Sequence, residues 1–221
     1  MKDTKLIFIT CTYNRPLRLA YMRRHIDQIF SKIDNYIWII VEDGDSLDPA
    51  VVSLTANLNV EYMAIGPTKD KGHVQRNAAL EYVRDQRLEG VVYIMDDDNL
   101  VYRPMVDELR KVSRFSAFPV GNLGPVGIER PVVVNGRAVF WSANWPERPF
   151  PIDMGGFAFP SHHLFEQASP LWTYAGMGGE SEFIARFVQS SDDIDVSLCH
   201  HNRVCLVFHN EPIDSASRME F

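Results

Sequence analysis

The sequence predicts an α/β protein with a mostly parallel sheet and helices on both faces. First, short apolar, β-rich runs alternate with helical patterns through the N-terminal half, which is typical of repeated strand–helix units. Second, polar and charged residues follow those runs, where the carboxyl ends of parallel strands form a ligand-binding edge. Third, the 221 residues are 46% hydrophobic and 23% charged, which disfavours a disordered chain, a solenoid and a coiled coil.

The elements of the N-terminal half follow in order. Residues 6–10 are continuously apolar, which indicates a strand buried on both faces. Helical apolar spacing follows over 17–30, with Pro16 near its first turn. The other predicted strands are 36–41, 60–65 and 90–95, and the other predicted helices are 49–58 and 74–83.

The C-terminal half is more irregular. Six prolines from Pro119 to Pro151 interrupt short strands, and Asn135-Gly136 between two apolar runs predicts a hairpin turn. A helix is predicted over 180–188 and a strand over 204–208. Because no linker or repeat is present, we expect a single domain, 1–221. Its residues 1–99 form a nucleotide-binding half and residues 100–221 a second-substrate half.

Charge and cysteine content limit the classes of partner. The 22 basic and 29 acidic residues give a net charge of −7, which disfavours a protein that coats nucleic acid or an anionic membrane. Cys11, Cys199 and Cys205 are too few for a disulfide framework and fit a reducing compartment. No apolar run approaches the ~20 residues of a membrane span. No signal-peptide pattern is present either, so we expect a soluble, cytoplasmic protein.

Chemistry-bearing residues follow the ends of the predicted strands. They are Tyr13 after the first strand, Asp43 after the second, Lys71 and Arg76 after the third, and Asp96-Asp97-Asp98 after the fourth. An aromatic ring can stack on a base, carboxylates can accept from base and ribose, and cations can bind phosphate. This edge of the sheet is therefore predicted to bind a nucleotide.

The acid triplet Asp96-Asp97-Asp98 is the sharpest of these signals. Three adjacent carboxylates repel one another, and a divalent cation or ribose hydroxyls would relieve the repulsion. Oxygen ligands combined with phosphate favour Mg²⁺ or Mn²⁺. A solvated acidic turn or helix start is the alternative, which the position directly after a strand disfavours.

Other residues have plain structural alternatives. These are a ring packed on a helix for Tyr13, a turn cap for Asp43, and a solvated helix start for Lys71 and Arg76. Cys199-His200-His201 with Cys205 lacks the paired spacing of a zinc site, so a structural role is favoured there.

Motifs along nearly the whole chain resemble one family. In order they are Thr12-Tyr13-Asn14-Arg15-Pro16, Val41-Glu42-Asp43, Gln75-Arg76-Asn77, Asp96-Asp97-Asp98-Asn99, Trp145, Arg148-Pro149-Phe150-Pro151-Ile152-Asp153-Met154, Gly156-Phe157-Ala158, Glu180-Ser181 with Phe183, and Val207-Phe208-His209. The run from Arg148 to Met154 is highly specific, whereas the acid triplet alone is weak evidence. On these motifs the chain resembles the animal β1,3-glucuronyltransferases that build proteoglycan linkers.

The resemblance implies a GT-A glycosyltransferase fold with a Rossmann-like sheet, an inverting reaction, a UDP-sugar donor, a carbohydrate acceptor and Mn²⁺ (or Mg²⁺). It implies donor contacts by Tyr13 and Asp43 with uracil, by Asp96 and Asp97 with ribose, and by Lys71, Arg76 and His209 with phosphates and sugar. It implies that Asp98 ligates the metal. It also implies an acceptor site formed by Asn99, Glu129, Trp145, Arg148 and Asp153, with Glu180 as the catalytic base.

Three departures from the family pattern bear on the donor. Cys11 stands where the family usually has Pro, Lys71 where an Arg begins the third motif, and Glu211 where an Arg follows the histidine. The animal enzymes carry an N-terminal membrane anchor and stem, and we expect an anchor-less relative. The expected donor is UDP-glucuronate, from which glucuronic acid is transferred to the 3-OH of a galactose-type acceptor. The alternative donor is another UDP-sugar, such as UDP-xylose.

The chemistry needs a carboxylate beside the attacking hydroxyl, which loses its proton during a single displacement. Glu180 fits this role, and a first-turn acid that suits the helix dipole is its alternative. Trp145 offers an apolar face to a sugar ring, and a buried core Trp is the alternative. A non-catalytic glycan- or nucleotide-binding module is the competing class. A sugar-phosphate nucleotidyltransferase is disfavoured because the Gly-rich loop after the first strand is absent. A homodimer is left open.

Overall fold

The computed structural model describes residues 4–68, 72–173 and 179–209. Within these ranges the strands are β1 (Leu6–Thr12), β2 (Tyr36–Glu42), β3 (Val60–Ala64), β4 (Val91–Ile94), β5 (Leu100–Val101), β6 (Ser116–Ala117), β7 (Val120–Leu123), β8 (Gly127–Val134), β9 (Arg137–Ser142), β10 (Phe157–Pro160) and β11 (Val207–Phe208). The helices are α1 (Arg18–Gln28), α2 (Pro49–Thr55), α3 (His73–Asp85), α4 (Pro104–Leu109), α5 (Gly179–Ile184) and α6 (Leu198–Asn202).

A six-stranded sheet of order β3-β2-β1-β4-β10-β6 forms the centre of the described structure. Strands β3, β2, β1 and β4 are parallel neighbours, so the predicted mostly parallel sheet is confirmed. Strand β10 runs antiparallel to both β4 and β6, with Ala158 opposite Tyr93. The carboxyl ends of β1, β2 and β4 therefore meet at one edge, followed by the loops that carry Tyr13, Asp43 and Asp96.

Apolar clusters cover both faces of this sheet, because alternate strand residues point to opposite faces. Phe8 packs in one cluster with Met22 of α1, and Ile9 packs in the other with Leu80 of α3. Phe8 and Ile9 are fully buried, which stabilises the fold by about 1.5–3 kcal/mol for each side chain. The prediction of helices on both faces is confirmed.

A second sheet of order β5-β11-β7-β8-β9 lies in the C-terminal half. The predicted hairpin is confirmed: Asn135 and Gly136 have φ of 52° and 79°, and Val134 pairs with Arg137 across the turn. Strand β5 begins directly after Asn99, and β11 pairs with it antiparallel. This pairing carries His209, which follows β11, to the same edge as the acid triplet.

Some predicted bounds differ from the structure. The helix predicted over 17–30 begins at Arg18, because Leu17 has a left-handed backbone with φ of 66°. The strand predicted over 204–208 contains only β11. In α6 the φ angles of Cys199, His200 and His201 are 53°, 53° and 55°, so this segment is a left-handed turn rather than a regular helix.

The described helices are short. The longest, α3, has 13 residues. Across the described ranges, none of the helices combines the length and the apolar character that crossing a membrane requires.

Candidate active site

The acid loop, Asp96–Asn99, follows β4 as a tight turn. The backbone N–H of Asn99 donates to the carbonyl of Asp96 at 3.1 Å. The backbone N–H of Asp96 donates to Oδ1 of Asn99 at 3.2 Å. The Asn99 side chain is buried and supports the shape of the loop, and its contact with an acceptor stays a prediction.

Arg15 and Thr12 hold two of the three carboxylates. Thr12 Oγ1 donates to Asp97 Oδ2 at 2.6 Å. The Arg15 guanidinium donates to Asp97 and lies 3.1 Å from Asp98 Oδ2. Burial alone would lower the pKa of Arg15, but pairing with Asp97 and Asp98 raises it. The acid loop therefore carries its own counter-charge.

A cleft of about 950 Å³ opens at the carboxyl edge of the sheet. It is lined by Cys11, Thr12, Tyr13, Arg15, Asp43, Thr68, Gly72, Gln75, Arg76, Asp96, Asp97, Asp98 and His209. The structure thus brings together every predicted donor residue that it describes, together with the predicted metal ligand Asp98. Lys71 lies outside the described residues. We call this space the donor cleft.

Tyr13 and Asp43 each had a purely structural alternative, and the structure disfavours the one for Tyr13 but not the one for Asp43. The Tyr13 side chain is 52% exposed, with the Arg15 guanidinium 5.3 Å from its ring, so it is not packed in the core. Asp43 lines the cleft, but its carboxylate also accepts two hydrogen bonds from Thr68. The Thr68 N–H donates to Oδ1 at 2.6 Å, and Thr68 Oγ1 donates to Oδ2 at 3.2 Å. Asp43 therefore also fixes the loop after β3.

Arg76 reaches the cleft from the first turn of α3. Its Nη2 lies 3.8 Å from Asp96 Oδ1, and its guanidinium lies 5.5 Å from the centre of the Trp172 ring. Trp172 is in turn attached to α3 by two hydrogen bonds with the Asn77 side chain, at 2.6 and 2.7 Å. These contacts join α3 to the segment that precedes Glu180.

A second group of predicted residues comes together around Arg148. Its Nη2 lies 3.5 Å from Glu129 Oε2, and its Nη1 lies 3.7 Å from Glu180 Oε2. The Trp145 ring lies 5.9 Å from the same guanidinium and is 42% exposed, which excludes the buried-core alternative. We call Glu129, Arg148 and Glu180 the carboxylate–arginine cluster.

Asp153 connects the two groups. Its Oδ1 accepts from the N–H of Gly155 at 2.9 Å. Burial raises the pKa of Asp153, the Gly155 N–H and His209 oppose this shift, and the charges of Asp96 and Glu180 add to it, which together bring the pKa to about 6. A Cβ at Gly155 would lie 3.1 Å from Asn99 Oδ1 and 3.4 Å from Asp153 Oδ1, and Asp153 lines a small pocket with Glu129. Asp153 therefore lies between the acid loop and the carboxylate–arginine cluster.

The residues of the acid loop fit a hard cation that is shared with phosphate. In the described ranges, no group of three or more His, Cys, Asp or Glu side chains is arranged to hold a metal by itself. Asp98 nevertheless offers carboxylate oxygen to the donor cleft, and Mg²⁺ or Mn²⁺ is commonly held by one or two carboxylates plus substrate phosphates and water. The donor set therefore suits a metal bound jointly with a diphosphate.

Six lining residues were not predicted as site residues: Cys11, Thr12, Arg15, Thr68, Gly72 and Gln75. Thr12, Arg15 and Gln75 lie inside the quoted motifs, and their positions at a strand end and a helix start were usable signals. Thr68 follows β3 without a recognisable motif, and only the three-dimensional fold brings it to Asp43.

The sequence matches Glycosyltransferase family 43 over residues 26–211. The galactosylgalactosylxylosylprotein 3-beta-glucuronosyltransferase P of Drosophila melanogaster is 29% identical over 98% of this chain and 48% of its own length. The galactosylgalactosylxylosylprotein 3-beta-glucuronosyltransferase sqv-8 of Caenorhabditis elegans is 34% identical over 76% of this chain and 53% of its own length. The chain thus spans about half the length of these curated relatives.

Solved structures share the fold at low sequence identity. The crystal structure of S. aureus TarS 1-349 aligns with a TM-score of 0.59 and 14% identity, over 96% of this chain and 62% of that chain. The same protein in complex with UDP-GlcNAc gives a TM-score of 0.57 and 15% identity, over 94% and 59% of the two chains. The predicted GT-A fold is confirmed by this likeness. The family match over residues 26–211 shows that this chain belongs to glycosyltransferase family 43.

Proposed function

We propose that this protein is an inverting, metal-dependent glycosyltransferase. It moves glucuronic acid from UDP-glucuronate to a hydroxyl, the 3-OH, of a galactose-type acceptor. The observation that supports this function most strongly is the proximity of two groups. Asp153 lies close to Asn99 of the acid loop on one side of Gly155, and it lines a small pocket together with Glu129 of the carboxylate–arginine cluster.

The donor cleft matches the parts of a UDP-sugar. Tyr13 presents an exposed ring for stacking on uracil, and Asp43 accepts hydrogen bonds at the base. Asp96 and Asp97 accept from the ribose hydroxyls. Lys71, Arg76 and His209 bind the phosphates and the sugar. In this proposal residues 1–99 supply most of the donor site, and His209 comes from the second half.

Asp98 would hold the Mn²⁺ or Mg²⁺ ion. When bound, this ion supplies positive charge that stabilises the diphosphate as it leaves. The chain itself would need only to keep Asp98 directed into the donor cleft, since phosphate oxygens and water commonly supply the other ligands of such an ion.

Glu180 acts as the general base. Its carboxylate accepts the proton of the acceptor hydroxyl while that oxygen forms a bond to the anomeric carbon. The bond from the anomeric carbon to the phosphate oxygen breaks, and UDP leaves with the electron pair. Attack opposite the leaving group inverts the anomeric configuration. Glu129, Trp145, Arg148 and Asp153 orient the acceptor sugar, and Asn99 supports this edge through the acid loop.

The relatives agree with this chemistry. The Drosophila and Caenorhabditis proteins are by name 3-beta-glucuronosyltransferases of a galactosylgalactosylxylosylprotein, and TarS has been crystallised with UDP-GlcNAc. We carry over the reaction class and the UDP-sugar donor to this chain, with a galactose-type acceptor. A homodimer and a reducing compartment stay predictions, the latter from three cysteines that are free thiols.

A competition assay tests the donor. Equal concentrations of UDP-glucuronate, UDP-glucose and UDP-xylose are incubated with Mn²⁺ and a simple galactoside, and the products are separated by mass. UDP-glucuronate is expected to dominate, because Arg76 and His209 provide donors for a sugar carboxylate. A clear preference for a neutral sugar contradicts this donor and makes Glu211 the first residue to substitute. If no sugar is transferred from any of the three donors, the proposed transferase activity is contradicted.

A further inference from the structure

Helix α1 holds the backbone of the acid loop through two consecutive residues. Nη2 of Arg24 donates to the carbonyl oxygens of Asp98 at 2.8 Å and of Asn99 at 2.9 Å. Nε2 of His25 lies 3.0 Å from the carbonyl oxygen of Asp97, which can only accept, so this nitrogen carries the proton. Three successive carbonyls of the loop are therefore bound by one helix. We call Arg24 and His25 the α1 clamp.

The α1 clamp is itself held rigidly. His25 is buried, and its ring packs edge-on against Trp38 with the ring centres 6.5 Å apart. The Arg24 guanidinium lies 5.2 Å from the centre of the Tyr21 ring. A helix that is packed on the sheet through Met22 and Ile26 thus carries both donors to the loop. The clamp and the sheet consequently form one rigid support.

The α1 clamp acts on the loop differently from Arg15. Arg15 contacts the carboxylates of Asp97 and Asp98, whereas the clamp contacts only backbone carbonyls. The carbonyls of Asp97 and Asp98 belong to the peptide planes on either side of the Asp98 Cα, and His25 holds the first while Arg24 holds the second. Fixing both planes fixes the direction in which the Asp98 side chain leaves the backbone. Groups that orient a metal ligand without touching the metal typically contribute 10–100-fold to metal affinity.

We propose that Arg24 is a positioning residue for the metal–diphosphate end of the donor, acting through the backbone of the acid loop. This inference rests on the proposed function, because it assumes that Asp98 binds the metal together with UDP. It assigns a role in donor binding to a residue that lies on the outer side of the loop, away from the cleft.

The charge of Arg24 and its positioning contacts predict opposite effects on metal binding when Arg24 is removed. A cation beside Asp98 repels a metal ion, so removing it should strengthen metal binding if only its charge matters. If Arg24 positions the loop, removing it should weaken metal binding instead. Arg24→Met removes the donors and keeps the apolar stem. Arg24→Lys restores the charge and a donor.

The experiment is calorimetric titration of UDP into each variant, with and without Mn²⁺. The measured quantity is the ratio of the UDP dissociation constants without and with the metal. Arg23→Met is the matched control, because Arg23 is the neighbouring residue on α1 and pairs only at the surface with Asp27, at 2.9 Å. Thermal unfolding of every variant reports any general loss of stability.

We expect the ratio to fall about 10–100-fold in Arg24→Met, to recover in part in Arg24→Lys, and to stay at the wild-type value in Arg23→Met. UDP affinity without metal should be unchanged in all of them. If Arg24→Met does not fold, the shorter Arg24→Gln, which cannot reach both carbonyls, gives the same test. A ratio in the tested variant that equals or exceeds that of the wild type overturns the inference alone. A wild-type protein without any Mn²⁺ effect overturns the metal-dependent function, and the inference with it.

Discussion

The guanidinium of Arg148 lies 3.7 Å from the carboxylate of Glu180. The same guanidinium also faces Glu129, so one cation is shared by two acids. A carboxylate held in this way has a defined direction, which a general base needs in order to meet the proton of the attacking hydroxyl. The contact therefore connects the proposed acceptor residues to the proposed base.

Glu180→Gln is expected to lower turnover by about 10²–10⁴, because the amide keeps the shape but cannot take a proton. UDP affinity should stay near the wild-type value, since Glu180 does not line the donor cleft. Steady-state transfer rates and UDP calorimetry check the two expectations. The control is Glu182→Gln on the same helix, whose Oε2 accepts from Thr173 Oγ1 at 3.1 Å. Near-full activity of Glu180→Gln would place the base elsewhere.

Asp98→Asn is expected to weaken metal-dependent UDP binding by about 1–3 kcal/mol, because the substitution keeps the size of the side chain and removes its charge. Calorimetry of UDP with and without Mn²⁺ measures the effect. Asp85→Asn is the control, since Asp85 is an exposed acid at the far end of α3. Identical metal-dependent affinity in Asp98→Asn and wild type contradicts the assignment.

Asp153 should make the metal-free protein less stable as the pH rises. Burial raises its pKa from 3.8 to about 6 in the folded chain, with Asp96 and Glu180 adding to the shift and the Gly155 N–H and His209 opposing it. Between these values the folded state holds the proton more tightly than the unfolded state, so the free energy of unfolding falls with increasing pH.

Asp153→Asn removes this titration. The free energy of unfolding of the variant minus that of the wild type should rise by about 1–3 kcal/mol between pH 4 and pH 7. Urea unfolding at both pH values, in chelator, measures the difference. A difference that does not change with pH contradicts the burial of an ionised Asp153.

The thiols of Cys11 and Cys199 should react at very different rates. Burial raises the pKa of Cys199 to about 12, with Glu108 adding to the shift, whereas Cys11 lines the donor cleft. Iodoacetamide should therefore modify Cys11 faster than Cys199 by on the order of 10²–10³. UDP with Mn²⁺ should protect Cys11, and peptide mass spectrometry measures both rates. Cys11→Ser confirms the assignment of the fast site, and faster labelling at Cys199 contradicts it.

The donor edge was predictable because its signals are local. Each strand is an apolar run, parallel strands end at one edge, and the residues that follow them, such as Tyr13 and Asp96, are adjacent in sequence to a strand. The Asn135-Gly136 turn was predictable for the same reason, since both residues have the positive φ that the pair favours.

The contacts that complete the site were not predictable from local pattern. Arg23 and Arg24 are adjacent cations in one helix, and the sequence alone does not show that Arg24 binds the acid loop while Arg23 faces solvent. Asn99 is adjacent to the triplet, yet its side chain turns back to Asp96. Strand β10 is four residues long and ends in Pro160, so its pairing with β4 depends on tertiary contacts.

The pairing of β10 with β4 has a consequence for the newly made chain. Strand β4 emerges about 60 residues before β10, so at typical rates of synthesis one side of a fully apolar strand waits roughly 3–12 s for its partner. During that interval its backbone donors and acceptors are open to the strands of other nascent chains. Yield in the cell should therefore depend on translation speed and chaperone supply across residues 95–160, independently of how stable the finished protein is.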